Sequence, residues 1–129
     1  MKKTISTFAF FLLLLQSLFA STPDEVANAI KTGDATEIAK HFNDHVDLKI
    51  LNKEDVYSRS QAELILKDFF SKHPIKTFKI IHKSAPKGDS QYSIGLLETY
   101  NGQYRVYFLI KKTVFKVLVC QFRIESENE

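Results

Sequence analysis

The side chains best suited to chemistry in this 129-residue chain are few and scattered. His82 follows Phe78 and Ile80 at a spacing of two, which places an imidazole on an apolar strand face, a setting for a general base. A lone histidine in that setting is more often a satisfied core or rim residue. Glu98 and Arg105 flank Asn101-Gly102, and a two-residue turn there sets them opposite each other as a polar clamp. Cross-strand ion pairs of this kind are commonly structural, worth about 0.2 to 1 kcal/mol. Tyr57 stands just before a helix and would bring a hydroxyl to a pocket mouth; a staple packing on that helix explains it better. His41, Asp44, His45 and Asp47 form the one dense set of metal-ligand types. A helix-to-strand boundary between His41 and His45 leaves no third ligand in fixed geometry, so no metal is expected. No serine nucleophile motif, glycine-rich phosphate loop or paired-cysteine element occurs, and no cofactor is expected. No catalytic set emerges from the residues alone.

The elements that must position these groups can be read from caps and periods. Thr22-Pro23-Asp24-Glu25 supplies an N-cap, a proline at the first helical position and a capping glutamate, followed by Val26, Ala29 and Ile30 on one face and Gly33 as a left-handed stop. Asp34 caps a second short helix with Ile38, Ala39 and Phe42 as its apolar stripe. Ser58 and Gln61 form a capping box for a third, in which Ala62, Ile65, Leu66, Phe69 and Phe70 recur at helical spacing up to His73-Pro74. Between the second and third helices, His45 to Leu51 alternates as a short strand. After Pro74 the period changes to two, and four strands are expected over Lys76–Ser84, Gln91–Tyr100, Gln103–Lys111 and Val114–Glu125.

A turn at Asn101-Gly102 sets Glu98 against Arg105, Leu96 against Tyr107 and Ile94 against Leu109 on one side of the sheet. Leu97 with Val106 and Gly95 with Phe108 form the drier side, which should receive the helices, with Gly95 leaving space for Phe108. The other side still carries Ile94, Leu96, Tyr107 and Leu109, and Leu118, Cys120, Phe122 and Ile124 would join it. A sheet covered on one side only should be polar on the other. An apolar outer face therefore predicts a partner, most simply a second copy of the chain. A bulge in the last strand would instead turn some of these side chains inward.

Composition bounds the rest. Lys2 and Lys3, the apolar block Phe8–Leu15 and a short exit ending at Ala20 have the form of a secretory signal, and the block is too short to span a bilayer. Residues 1–20 are therefore expected to be removed, leaving 21–129 as one domain, periplasmic or secreted, without a transmembrane anchor. Its charge is nearly balanced but asymmetric: 6 basic and 10 acidic residues over Ser21–Ser71, 10 basic and 2 acidic over Lys72–Arg123. Export makes nucleic acid an improbable partner. Cys120, the sole cysteine, excludes an internal disulfide and reads as a buried thiol.

Helix, helix, strand, helix and four long strands is the order of the nuclear-transport-factor-2-like, or cystatin-like, cone. The chain resembles an uncharacterised secreted bacterial family of that fold, classed as a domain of unknown function. The resemblance rests on Gly33-Asp34-Ala35 with Ile38 and Phe42, Tyr57-Ser58 with Gln61-Ala62, Ile65-Leu66 and Phe69-Phe70, Ser93-Ile94-Gly95, Tyr104-Arg105-Val106, and Phe122-Arg123-Ile124-Glu125. It implies an α+β cone, three N-terminal helices packed on a curved, mostly antiparallel sheet, with a conical pocket and a sheet-mediated dimer. In the ketosteroid-isomerase branch of that fold a strand aspartate is the general base; carried over, that position falls on Ile50, which cannot take a proton. The resulting expectation is a non-enzymatic exported homodimer holding a small apolar ligand. Tyr57, His82, Glu98 and Arg105 are its pocket candidates, and Ile94, Leu96, Tyr107 and Leu109 its dimer face. An isomerase- or dehydratase-like enzyme acting on a small hydrophobic substrate, or a periplasmic protein-interaction module, are the alternatives.

Overall fold

The computed structural model describes residues 21–127; the leader expected at Met1–Ala20 lies outside them. Helix α1 (Pro23–Thr32) begins where Thr22 accepts the Glu25 N–H and ends at Gly33, whose φ of 66° is the left-handed conformation expected of a helix stop. Helix α2 (Ala35–Ala39) starts from Asp34, which accepts the Thr36 N–H. Strand β1 (Phe42–Ile50) pairs with β2 (Lys53–Ser58), and Ser58 is both the end of β2 and the cap of α3 (Arg59–Lys72), with both halves of the capping box formed. Strands β3 (Ile75–Lys83), β4 (Ser90–Thr99), β5 (Gly102–Lys112) and β6 (Val117–Ser126) complete the chain.

The six strands form one sheet in the order β2-β1-β6-β5-β4-β3, antiparallel throughout except for the parallel β1–β6 pair. Among the described residues two short helices precede the first strand, and the third follows the β1–β2 hairpin rather than standing with them. Strand β2 is an addition to the expected set. Its Lys53, Glu54, Asp55 and Val56 are all exposed, so an edge strand here carries no apolar alternation to announce it. Arg59 ties the two layers at that edge, its Nε donating to the Phe42 carbonyl at 3.1 Å and its Nη2 to Asp44 at 2.9 Å.

The inner face of the sheet buries Val46, Leu48, Leu97, Val106, Phe108, Phe122 and Ile124 completely, against Val26, Ile30, Ile38, Ala62 and Leu66 of the helices. Burying that many large side chains is the main source of stability in a domain without disulfides. Phe42 and Phe122 meet at 5.4 Å in its centre.

Four details of the sheet depart from the expected register. Thr99 pairs with Gly102, so the two-residue loop is Tyr100-Asn101; Glu98 faces Gln103, Leu96 faces Arg105 and Ile94 faces Tyr107. The slip is two residues, so every side chain keeps its face while the Glu98–Arg105 clamp dissolves. Gly95 makes room for Phe78 of β3, not for Phe108: a Cβ there would fall on the Phe78 ring. The pairing of β3 with β4 shifts between Ile80 and His82, which turns His82 to the outer side, opposite Ile94, away from the side of Phe78 and Ile80. A second shift in β6, between the partners of Leu109 and Ile110, leaves Cys120 unpaired and sends Val119, Phe122 and Ile124 into the core. The outer face keeps Gln121, Arg123 and Glu125 instead.

Candidate functional site

The end of β1 and the last turns of α3 border a half-open cavity of about 290 Å³. Its walls are Ile50 and Leu51 on the sheet side and Ile65 and Phe69 on the helix side, with Asn52, Lys53, Asp68, Lys72 and His73 at the rim. Leu51 is the one described non-glycine residue with a positive φ, 57°. That conformation costs an L-residue with a Cβ about 1–2 kcal/mol. It is held by the Leu51 N–H donating to the Ile124 carbonyl at 2.9 Å and by packing of the side chain on the core. A strained aliphatic residue thus stands in a two-residue turn where asparagine or glycine is the usual occupant, and its side chain forms part of the cavity wall.

The rim is built from the helix terminus. His73 ends α3, and its ring lies on Phe69 with centroids 4.6 Å apart and planes 26° from parallel, while Tyr104 meets Phe69 edge-on at 5.4 Å. His73 Nδ1 stands 3.1 Å from Asn101 Oδ1 and 3.1 Å from the Tyr104 hydroxyl. One ring nitrogen serves one of these at a time: protonated it donates to Asn101, unprotonated it accepts from Tyr104. Asn101 Nδ2 donates to the Lys72 carbonyl at 2.8 Å, so the β4–β5 loop closes the open end of the helix.

None of the four residues singled out as pocket candidates lines this cavity. Tyr57 sits on β2, paired with Val46, and packs on the core. His82 is exposed on the edge strand, its ring 5.8 Å from Tyr92, and borders a separate open cavity beside Asp24, Lys31 and Lys83. Glu98, half-buried on the outer side, accepts from the Thr77 hydroxyl at 3.2 Å. Arg105 lies on the outer face near Glu127 at 3.6 Å. The structure brings together His73, Phe69, Ile65 and Ile50 instead. Their signal was present in the sequence as the helix stripe ending at His73-Pro74, but only tertiary packing sets that helix end over Leu51.

The outer face gathers the other candidates. Ile94, Leu96, Tyr107 and Leu109 are neighbours there, each half-buried, and Tyr92 stacks on Tyr107 at 5.6 Å. Ile94, Arg105, Tyr107, Gln121, Arg123 and Glu125 border a shallow cavity of about 280 Å³. Arg123 lies 3.5 Å from Glu54 and 3.8 Å from Asp47, while Lys49 pairs with Glu125 at 3.1 Å. Burial pushes the Tyr107 hydroxyl up from its ordinary value, with Arg123 opposing. Burial likewise raises the Cys120 thiol, against a lowering pull from Lys111, and its Sγ contacts the Leu109 carbonyl at 3.7 Å. A thiol so placed is a poor nucleophile.

The metal-ligand types named above diverge: His41 bonds Ser21 Oγ at 2.8 Å, Asp44 takes Arg59, and Asp47 faces Arg123. Among the described residues no three His, Cys, Asp or Glu side chains converge to hold a metal, and no helix is long and apolar enough to cross a membrane.

Helices on one face of a curved six-stranded sheet define an α+β cone of the nuclear-transport-factor-2-like and cystatin-like kind. In keeping with this, the chain is similar in fold to the solved structure named "Rd1NTF2_04 with long sheet", with 20% identity, a TM-score of 0.62, and 78% of this chain and 94% of that one covered. It is also similar in fold to a cystatin-like domain of unknown function from Nostoc punctiforme, at 8% identity and a TM-score of 0.64, with 81% of this chain and 72% of that one covered. Within that class the chain belongs to the DUF4783 family, a domain of unknown function whose model matches residues 23–125. A DUF4783 family protein from Bacteroides uniformis is 34% identical with a TM-score of 0.78, the match covering 84% of this chain and 100% of that one. No curated protein matches the sequence.

Proposed function

We propose that this DUF4783 domain is an exported, non-enzymatic binding protein that holds a small apolar ligand between Leu51 and Phe69 and pairs with a second copy through its outer sheet face. The cavity carries the reading: Ile50, Leu51, Ile65 and Phe69 offer an apolar floor, and Leu51 joins it from a left-handed backbone conformation. Polar groups stand at the rim, where they would orient one end of a ligand, the usual division of labour in small-molecule sites. The resemblance to the ketosteroid-isomerase branch puts Ile50, which cannot take a proton, at the position of that branch's general base. His73 has its Nδ1 engaged by either Asn101 or Tyr104.

The dimer rests on the contiguous patch of Tyr92, Ile94, Leu96, Tyr107 and Leu109, which is more apolar than an outward sheet face in contact with water needs to be. Charged residues border it on the β1–β6 side, giving the polar rim of an ordinary interface. Export rests on the leader at Met1–Ala20. Mass spectrometry of the small molecules extracted from the purified protein tests the binding reading. An apolar compound present in molar proportion, and lost from an Ile65→Trp variant that fills the cavity, is the expected result; an empty protein that binds no apolar compound contradicts it.

A further inference from the structure

The hairpin joining β5 to β6 carries Val114 and Phe115 at its tip, 89% and 85% exposed. The turn that presents them is closed from within. The Thr113 N–H donates to the Lys116 carbonyl at 2.7 Å, the Thr113 hydroxyl to the same carbonyl at 3.2 Å, and the Lys116 N–H to Thr113 Oγ1 at 3.2 Å. The β5–β6 pairing ends at Lys112 and Val117, leaving a four-residue loop in which neither Val114 nor Phe115 has a positive φ, so the turn accepts most residue types at these two positions. Valine and phenylalanine there gain nothing from turn geometry and bury nothing in the domain.

Lys111, Lys112 and Lys116 surround the tip, and Lys87 joins them from the β3–β4 loop, which the Lys112 N–H reaches through the Asp89 carbonyl at 2.7 Å. All four lysines are exposed, and among the described residues none is in an ion pair. Asp89 is the one acidic residue in the two loops. The chain also enters the domain at this end, where the Ser21 N–H donates to the Val117 carbonyl at 2.9 Å.

We propose that this hairpin tip is a docking point for an anionic lipid bilayer, with Val114 and Phe115 entering the acyl boundary and the lysine collar lying at the phosphates. Aliphatic stems beneath ammonium groups suit that boundary, and the negative surface supplies the attraction. A second copy docking tip to tip would bring two lysine collars together, which disfavours self-association there. The cavity beside Leu51 lies at the opposite end of β6, next to Ile124, so a docked domain presents that opening away from the lipid.

The chain contains no tryptophan, so Phe115→Trp is a single-site reporter. The test uses residues 21–129, which hold the whole described fold and the span matched by the family model, residues 23–125. The variant is titrated with vesicles of equimolar phosphatidylcholine and phosphatidylglycerol, and with phosphatidylcholine alone. The expected result is a blue shift and quenching by brominated acyl chains with the mixed vesicles only. In co-sedimentation, V114S/F115S should lose binding with its melting temperature unchanged. K111Q/K112Q/K116Q should bind on the order of 100-fold more weakly, at about fivefold per lysine. Emission unchanged by mixed vesicles, sedimentation retained in V114S/F115S, or a blue shift that grows with protein concentration in the absence of lipid would each overturn the proposal, the last in favour of self-association.

Discussion

The carbon that Gly95 lacks would lie on the ring of Phe78 and 3.0 Å from the Lys79 carbonyl. Strand β3 therefore reaches its place over the core because β4 has no side chain at that one point. Gly95→Ala should destabilise the domain by about 1–3 kcal/mol in urea unfolding, the cost of overpacking a filled core. Shortening the ring in Gly95→Ala with Phe78→Leu should recover part of the loss. A single variant as stable as the parent would show that the contact carries no energy.

Ser21 and His41 predict a pH effect. Burial lowers the His41 pKa; the carboxylates of Glu25 and Glu37 pull it up, and Lys40 pushes it down. The folded value lies below the unfolded one, about 6.5, so over that window the unfolded chain binds more protons and stability falls as the pH drops. Denaturant midpoints of the parent should therefore fall between about pH 7.5 and about pH 5 by more than those of His41→Gln. Parallel pH profiles for the two proteins would remove His41 as the cause.

The outer face gives a third expectation. Multi-angle light scattering of residues 21–129 should return twice the chain mass, and Leu109→Arg should return the monomer without loss of helical signal. Truncating a central contact in such an interface weakens it by about 2 kcal/mol or more, roughly 30-fold in dissociation constant. A strict monomer at high protein concentration contradicts the interface.

Much of the architecture was legible because it was written in local chemistry. Thr22, Asp34 and the Ser58–Gln61 box start their helices where side-chain oxygens can satisfy open backbone donors. The inner and outer faces of β4 and β5 were also legible, since a slip of two residues preserves parity. The bulges beside Ile81 and Cys120 were not. Each reverses the face of the residues beyond it, for His82 on β3 and for Phe122 and Ile124 on β6, and no residue type marks the site. The β4–β5 loop was misplaced because Asn101-Gly102 has the residues of a two-residue turn. In the fold Asn101 instead caps the end of α3 through Lys72 and His73. That same tertiary contact assembles the cavity rim, so no local pattern in the sequence marks His73 or Leu51.

The central claim is that the space between Leu51 and Phe69 receives an apolar ligand. Methyl resonances of Ile50, Leu51 and Ile65 report on it directly when the protein is titrated with a homologous series of straight-chain alcohols. Saturable shifts confined to those methyls are expected, with an affinity that rises with chain length until the cavity of about 290 Å³ is filled, and with the shifts lost in Ile65→Trp. Shifts that never saturate, or that appear first at Ile94, Leu96 and Leu109, would contradict the claim.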